Sequence, residues 1–124
     1  ASCILCVAGR WSATGSGSCF DCDAGKSAAA GSSNCESCSA GTYSASAAAN
    51  CSVCSAGSHS SSSSAACTAC DAGKSSGTGS SFCNSCDSGQ WSNISAAVCV
   101  YCESGRWSGT GSSMCFDCDA GKRS

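Results

Sequence analysis

Large apolar side chains are scarce in this sequence of 124 residues. Besides eight aromatic residues, they are Ile4, Leu5, Val7, Val53, Ile94, Val98, Val100 and Met114. Burial of so few large side chains cannot offset the conformational entropy that the chain loses on folding. A globular domain around one hydrophobic core is therefore not expected, and the fold needs another source of stability.

Charge and catalytic residue types are scarce as well. Six Lys and Arg against eight Asp and Glu give a net charge of -2, so no basic face for nucleic acid is expected. No apolar run is long enough to span a bilayer. His59 is the only histidine and the carboxylates are scattered, which indicates neither an enzyme nor a cofactor site.

Cysteine is abundant, and its spacing is regular. Sixteen cysteines form eight Cys-x-x-Cys pairs, and each pair begins sixteen residues after the one before it. Loops tolerate changes in length, so a period kept without insertion indicates repeats that stack on one another with one geometry. We therefore predict one array over residues 1–124, a segment of a longer one. Its repeats are 3–18, 19–34, 35–50, 51–66, 67–82, 83–98, 99–114 and the partial 115–124.

Glycine marks the turns of the repeat, whose positions are counted from its first cysteine. Position seven is glycine in every repeat: Gly9, Gly25, Gly41, Gly57, Gly73, Gly89, Gly105 and Gly121. This predicts a tight turn with positive φ, or a backbone approach too close for a Cβ atom. A second turn near position thirteen is glycine in only some repeats. The predicted fold is a small disulfide-rich repeat: an elongated rod of short β-hairpin and turn units, with little or no helix.

Position nine has a ring in five repeats and follows a slower rhythm. The rings are Trp11, Tyr43, His59, Trp91 and Trp107. Repeats two, five and eight instead share the motif Asp-Ala-Gly-Lys and lack a ring, which suggests a period of three repeats, or 48 residues. We interpret the rings as contacts between chains; covering the disulfides and binding a ligand such as carbohydrate are the alternatives.

Two uses of the cysteines compete. A disulfide ladder that treats all repeats alike joins Cys6–Cys19, Cys22–Cys35, Cys38–Cys51, Cys54–Cys67, Cys70–Cys83, Cys86–Cys99 and Cys102–Cys115. Cys3 and Cys118 would then pair beyond this segment. A scheme in which Cys3 pairs with Cys19 makes alternate repeats different, which the sequence does not show. The spacing also suits zinc, but the small polar composition and unbroken period favour disulfides and no metal.

Two sequons match the acceptor sequence for N-linked glycan. Asn93 begins Asn-Ile-Ser, and Asn50 begins Asn-Cys-Ser beside a cysteine of the ladder. An attached glycan is therefore a second expectation, with Asn93 the better acceptor.

The pattern Cys-x-x-Cys-x-x-Gly-x-x-Ser-x-x-Gly-x-x-x-Cys-x-x-Cys resembles the ephrin-receptor-like cysteine-rich repeat and, more loosely, the tumour-necrosis-factor-receptor repeat. Residues 67–86 and 99–118 match it clearly. The resemblance implies an extracellular, disulfide-bonded module at the surface of a protist or alga, without enzymatic activity. The chain differs from that family in having no proline and in its unbroken spacing.

These observations favour a structural protein that builds or sheathes an extracellular filament, hair or cell-surface coat. Self-association into a homopolymer is expected, with a glycan as the other expected partner. The alternative functions are the stalk of a surface adhesin or receptor and, less favoured, a zinc-binding array.

Overall fold

The computed structural model describes residues 2–124. All regular structure in this part of the chain consists of two-residue β-strands. They are β1 (Arg10–Trp11), β2 (Phe20–Asp21), β3 (Lys26–Ser27), β4 (Glu36–Ser37), β5 (Thr42–Tyr43), β6 (Ser52–Val53), β7 (Ser58–His59), β8 (Thr68–Ala69), β9 (Lys74–Ser75), β10 (Asn84–Ser85), β11 (Gln90–Trp91), β12 (Val100–Tyr101), β13 (Arg106–Trp107) and β14 (Phe116–Asp117).

Each hairpin is shared between two consecutive repeats. Positions eight and nine of one repeat pair antiparallel with positions two and three of the next, as in Arg10 with Asp21 and Trp11 with Phe20. Seven such two-stranded sheets follow one another at the sixteen-residue period. The predicted small disulfide-rich repeat of hairpins and turns is therefore confirmed. The described residues contain no helix, and so none that is long and apolar enough to cross a membrane.

The position-seven glycines form the first turn, and their conformation explains why no other residue replaces them. Their φ angles lie between 83° for Gly105 and 89° for Gly9. These values lie beyond the left-handed region near +60° that other residues can enter at modest cost. The predicted positive φ at this turn is what the structure has.

The second turn also requires positive φ, but at a milder value. Gly15, Gly31, Gly79 and Gly111 have φ between 71° and 77° at position thirteen, whereas Ala47, Ser63 and Ser95 have φ of 58° or 59°. Because this is the ordinary left-handed region, Ala and Ser are tolerated there at a cost of about 1 kcal/mol. The different angles explain why glycine is invariant at one turn and variable at the other.

A glycine at position thirteen should therefore stabilise the repeats that lack one. We expect Ser63→Gly to raise the free energy of unfolding by about 1 kcal/mol, because φ of 59° carries a steric cost only for a residue with a Cβ atom. Urea denaturation measures the change. Ser62→Gly is the matched control, since Ser62 has no positive φ and should only gain entropy in the unfolded chain. Equal effects of both substitutions would contradict the assignment.

Hydrogen bonds of the turn glycine connect each repeat to the next. The Gly57 N–H donates to the carbonyl of Ser76 at 2.9 Å, and the Gly57 carbonyl accepts from the Cys70 N–H at 2.8 Å. The same two bonds occur at Gly9, Gly25, Gly41, Gly73 and Gly89. Both polar groups of one residue are thus satisfied by fixed positions of the following repeat. An insertion between these positions would separate the partners, which accounts for the constant period.

The turn glycine also lies against a repeat two further along the chain. A Cβ atom at Gly57 would overlap the backbone carbonyl of Ser95, and one at Gly25 would overlap that of Ser63. Gly9 and Gly73 meet the carbonyls of Ala47 and Gly111 in the same way. Both sequence-based explanations of the invariant glycine therefore apply at these positions: positive φ and close backbone approach.

The buried interior consists of small side chains. The second cysteines Cys22, Cys38, Cys54, Cys70 and Cys86 are at most 1% exposed, and Cys6 is 5% exposed. The other buried side chains are Ala28 and the position-ten serines Ser44, Ser60, Ser76, Ser92 and Ser108. Large apolar residues such as Ile4, Val98 and Tyr101 are exposed. Disulfides and serines thus occupy the place that a hydrophobic core has in a globular domain.

The chain divides into two compact units. Of the described residues, the first contains 2–54 and Ser60–Cys67, and the second contains Ser55–His59 and Thr68–Ser124. The pattern of hairpins, turns and disulfides is the same within each unit.

Candidate functional site

Seven disulfides join the fourth position of one repeat to the first position of the next. They are Cys6–Cys19, Cys22–Cys35, Cys38–Cys51, Cys54–Cys67, Cys70–Cys83, Cys86–Cys99 and Cys102–Cys115. These are the pairs of the ladder that the repeat symmetry favours. The separation is 13 residues and the Cα atoms are 5.7 or 5.8 Å apart in every case. Each bond closes a segment that contains the first strand of one hairpin, and so connects two neighbouring repeats.

The position-ten serine lies between a buried disulfide sulfur and a backbone carbonyl, an arrangement that the sequence did not predict. The Ser76 hydroxyl donates to the carbonyl of Ser58 at 3.0 Å, and its oxygen lies 3.2 Å from Sγ of Cys70. Four other position-ten serines also donate their hydroxyl to the backbone carbonyl eighteen residues earlier: Ser44, Ser60, Ser92 and Ser108. Each serine thus satisfies a backbone carbonyl where water has little access.

Removal of one such hydroxyl should lower the stability of the fold, because it leaves a buried backbone carbonyl without a hydrogen-bond partner. We expect Ser76→Ala to lower the free energy of unfolding by about 1–2 kcal/mol, because the Ser58 carbonyl loses its partner. Urea denaturation measures the loss. The matched control is Ser80→Ala, which removes an exposed local bond to the Gly77 carbonyl and should cost under about 0.5 kcal/mol. Similar losses from both would contradict a special role for position ten.

The second repeat allows the reverse substitution. Ala28 is buried at position ten, where the other repeats have serine. By the spacing of the other repeats, a serine here would face the carbonyl of Arg10. The same denaturation series should therefore show a gain of about 1 kcal/mol for Ala28→Ser.

Position nine faces a disulfide of the ladder. His59 Nδ1 lies 3.1 Å from Sγ of Cys83, the first cysteine two repeats further along. The hydroxyl oxygens of Ser27 and Ser75 lie 3.6 Å and 3.4 Å from the sulfurs of Cys51 and Cys99. Covering a disulfide, one of the alternatives considered for the rings, is thus observed at His59, and two position-nine serines make the corresponding contact. Contact of the rings with another chain stays a prediction.

The rings differ in how far they are covered. Trp11, Tyr43, His59 and Trp91 are half-buried, whereas Trp107 is 52% exposed. Trp11 packs on Phe20 with ring centroids 5.5 Å apart, and Trp107 packs on Phe116 at 5.2 Å. Both are cross-strand pairs within one hairpin, which adds about 1 kcal/mol to each beyond the area that they bury.

The arginines before two of the rings bind carboxylates across the same hairpins. Arg10 Nε donates to Asp21 at 2.7 Å, and Arg106 Nε donates to Asp117 at 2.9 Å. All four side chains are at least half exposed, so each pair stabilises its hairpin by less than about 1 kcal/mol. Each pair nevertheless fixes the direction of a guanidinium group on the surface.

One group of potential metal ligands occurs among the described residues: His59, Cys70 and Cys83, whose ligand atoms lie within 4.8 Å of one another. Cys70 and Cys83 are joined in a disulfide, however, and a disulfide sulfur is not a thiolate ligand. The arrangement therefore corresponds to a histidine packed on a disulfide.

Three surface depressions have the same construction. One is a cleft of about 420 Å³ lined by Trp91, Val100, Tyr101, Glu103, Arg106, Met114 and Cys115. A second is lined by Trp11, Asp21, Asp23, Lys26, Asn34 and Cys35. The third includes Trp107, Phe116, Asp117, Asp119 and Lys122. We call these three the Trp clefts. Each has a tryptophan of position nine, with an acid of position five and a base of position eight from the following repeat.

The remaining predicted residues are accessible. Asn93 is exposed in the loop after β11, and Asn50 is exposed directly before Cys51 of the ladder. Cys3 is exposed and Cys118 is half-buried, and neither forms a disulfide within the described residues. Glycan attachment at the two asparagines and pairing of the two cysteines elsewhere stay predictions.

No protein-family model matches the chain. A search of curated proteins found no similar sequence.

Proposed function

We propose that this chain is a structural protein that builds or sheathes an extracellular filament, hair or cell-surface coat. The observation that carries the proposal is the link between repeats. Each repeat is joined to the next by one disulfide and by two hydrogen bonds of its turn glycine, all at constant spacing. Stability is thereby distributed along the chain, as in repeat proteins whose units interact with their neighbours.

The disulfides support the extracellular part of the proposal. Seven bonds in a chain of this size are typical of secreted proteins, because the cytosol keeps thiols reduced. Each closed loop contributes about 3 kcal/mol in the chain-entropy account of disulfide stabilisation. The resemblance to ephrin-receptor-like repeats points to the same location. We further propose that the chain has no enzymatic activity, since the residues that recur in its repeats are structural cysteines, glycines and serines.

Exposed apolar surface supports the assembly part. Cys3 and Cys118 occupy the two positions of a ladder rung and form no disulfide within the described residues, so each can bond to a further repeat. Exposed apolar side chains, including Ile4, Leu5 and Val98, supply surface that contacts between arrays would cover.

Self-association tests the proposal. Purified oxidised chain should form ordered polymers in negative-stain electron micrographs and a concentration-dependent series in analytical ultracentrifugation. A disulfide through the two cysteines would add a ladder of covalent oligomers on non-reducing gels. The variant Cys3→Ser/Cys118→Ser should lose those covalent species and keep the fold.

Two results would overturn the structural assignment. One is a folded chain that stays monomeric at every concentration, with or without oxidant. The other is the appearance of isolated, unassociated rods in native material, which would favour the stalk of an adhesin instead.

A further inference from the structure

We propose that the Trp clefts bind saccharide. The proposal does not depend on self-association, and it assigns a ligand to surface features that the structural role leaves unused. It begins from the observation that three separate depressions have tryptophan, carboxylate and cationic side chains at the same repeat positions.

The recurrence is a property of the sequence rhythm. Each repeat with Asp-Ala-Gly-Lys follows a repeat with a ring at position nine, so Trp11, His59 and Trp107 precede such repeats at intervals of 48 residues. The cleft of Trp91 has Glu103 and Arg106 in the corresponding places. By contrast, the repeat after Tyr43 has serines at positions five and eight. The repeat after Ser75 has a carboxylate at position five, Asp87, but Ser75 itself has no ring. The tryptophans of position nine are therefore each followed by a repeat with an acid at position five and a base at position eight, whereas Tyr43 is not.

The chemistry of the clefts fits a hydroxyl-rich ligand with an apolar face. The C–H face of a pyranose ring packs on a tryptophan, and its hydroxyls both donate and accept hydrogen bonds. Glu103 can accept from such hydroxyls, and Arg106 can donate to them. The ion pair with Asp117 holds the Arg106 guanidinium in place before a ligand arrives, which reduces the ordering cost of binding.

Four charged side chains in two of the clefts form no ion pair with the described residues and are free to bind. Among the described residues, Asp119 and Lys122 of the Trp107 cleft form no ion pair, and neither do Asp23 and Lys26 of the Trp11 cleft. A purely apolar partner would bury these groups without hydrogen bonds, at a cost that its contact with one ring would not offset. A saccharide leaves them hydrogen-bonded. A protein that repeats its clefts also suits a ligand built from repeating units.

Tryptophan fluorescence tests the proposal directly, because the three tryptophans of the chain are the three cleft rings. The double variant Trp11→Phe/Trp107→Phe leaves Trp91 as the single reporter. The oxidised full-length chain is titrated with cellohexaose, chitohexaose and maltohexaose. At least one of these should give a saturable change in emission with a dissociation constant of about 1 mM or below.

Charge-removing variants identify the site. In the single-tryptophan background, Glu103→Gln should weaken binding about tenfold or more, since it removes the carboxylate that accepts from the sugar. The matched control is Asp87→Asn. Asp87 occupies position five as Glu103 does, but position nine of the preceding repeat is Ser75 instead of a tryptophan, so the titration should be unchanged.

Three outcomes would overturn the proposal. The first is the absence of a saturable change with all three oligosaccharides. The second is equal effects of Glu103→Gln and Asp87→Asn. The third is an emission change that follows protein concentration instead of saccharide concentration, which would assign the clefts to contact with a second copy of the chain.

Discussion

Gly57→Ala should destabilise the protein by about 3 kcal/mol or more, a large effect for the addition of one methyl group. Two costs combine at this residue. Its φ of 88° lies outside the region that alanine tolerates, and the new Cβ atom would overlap the carbonyl of Ser95. Backbone on both sides would have to shift. Urea denaturation of the oxidised protein gives the overall loss.

Hydrogen exchange locates the loss. The amide of Cys70, which donates to the Gly57 carbonyl, should exchange faster in the variant. Gly111→Ala is the matched control, because Gly111 also has a positive φ, of 74°, but no atom lies within 4 Å of its added Cβ position. It should show only the conformational cost of about 1 kcal/mol. Equal losses at Gly57 and Gly111 would show that contact between repeats two apart does not constrain Gly57.

Removal of one rung of the ladder should have an effect of similar size. We expect Cys54→Ala/Cys67→Ala to lower the free energy of unfolding by about 3 kcal/mol through the unfolded-state entropy of the opened loop, and further through lost packing. Cys54 is fully buried, and its sulfur lies 3.3 Å from the Ser60 hydroxyl. Both replacements are made together, so that no free thiol remains to exchange with neighbouring bonds.

The comparison pair is Cys102→Ala/Cys115→Ala, which opens a loop of the same length between half-buried cysteines. Loop entropy predicts equal losses, whereas packing predicts the larger loss at Cys54. Urea denaturation and calorimetry measure both. A loss below about 1 kcal/mol in either double variant would show that the ladder is not what stabilises the fold.

Much of the fold follows from period and glycine alone. Equal spacing of the cysteines leaves few disulfide schemes that treat all repeats alike. The structure has the favoured one, in which the second cysteine of each repeat bonds to the first cysteine of the next. Invariance at position seven indicates a backbone requirement, and Gly57 satisfies both of the possible ones. The residue types of the second turn do not indicate its conformation. A mixture of Gly, Ala and Ser suggests a relaxed position, yet Ser63 and Ala47 have positive φ there.

Other features depend on three-dimensional neighbours that the sequence does not name. Serine occupies position ten in seven of eight repeats, but in a chain rich in serine this carries little information. Only burial separates Ser76 from the exposed serines around it. Likewise, a sixteen-residue period indicates contact between adjacent repeats, whereas Gly25 meets Ser63 two repeats away. The Trp clefts combine positions from several repeats and emerge only once those repeats are placed together.

Peptide mapping without reduction tests the disulfide ladder most directly. Trypsin should cleave the denatured, alkylated chain after Arg10, Lys26, Lys74, Arg106, Lys122 and Arg123. The bond Cys22–Cys35 then predicts that peptide 11–26 remains covalently joined to peptide 27–74 until reductant is added. If Cys3 paired with Cys19 and Cys6 with Cys22, peptide 11–26 would remain joined to 1–10 and separate from 27–74. Recovery of that separate species would contradict the ladder and, with it, the structural role proposed for the repeat.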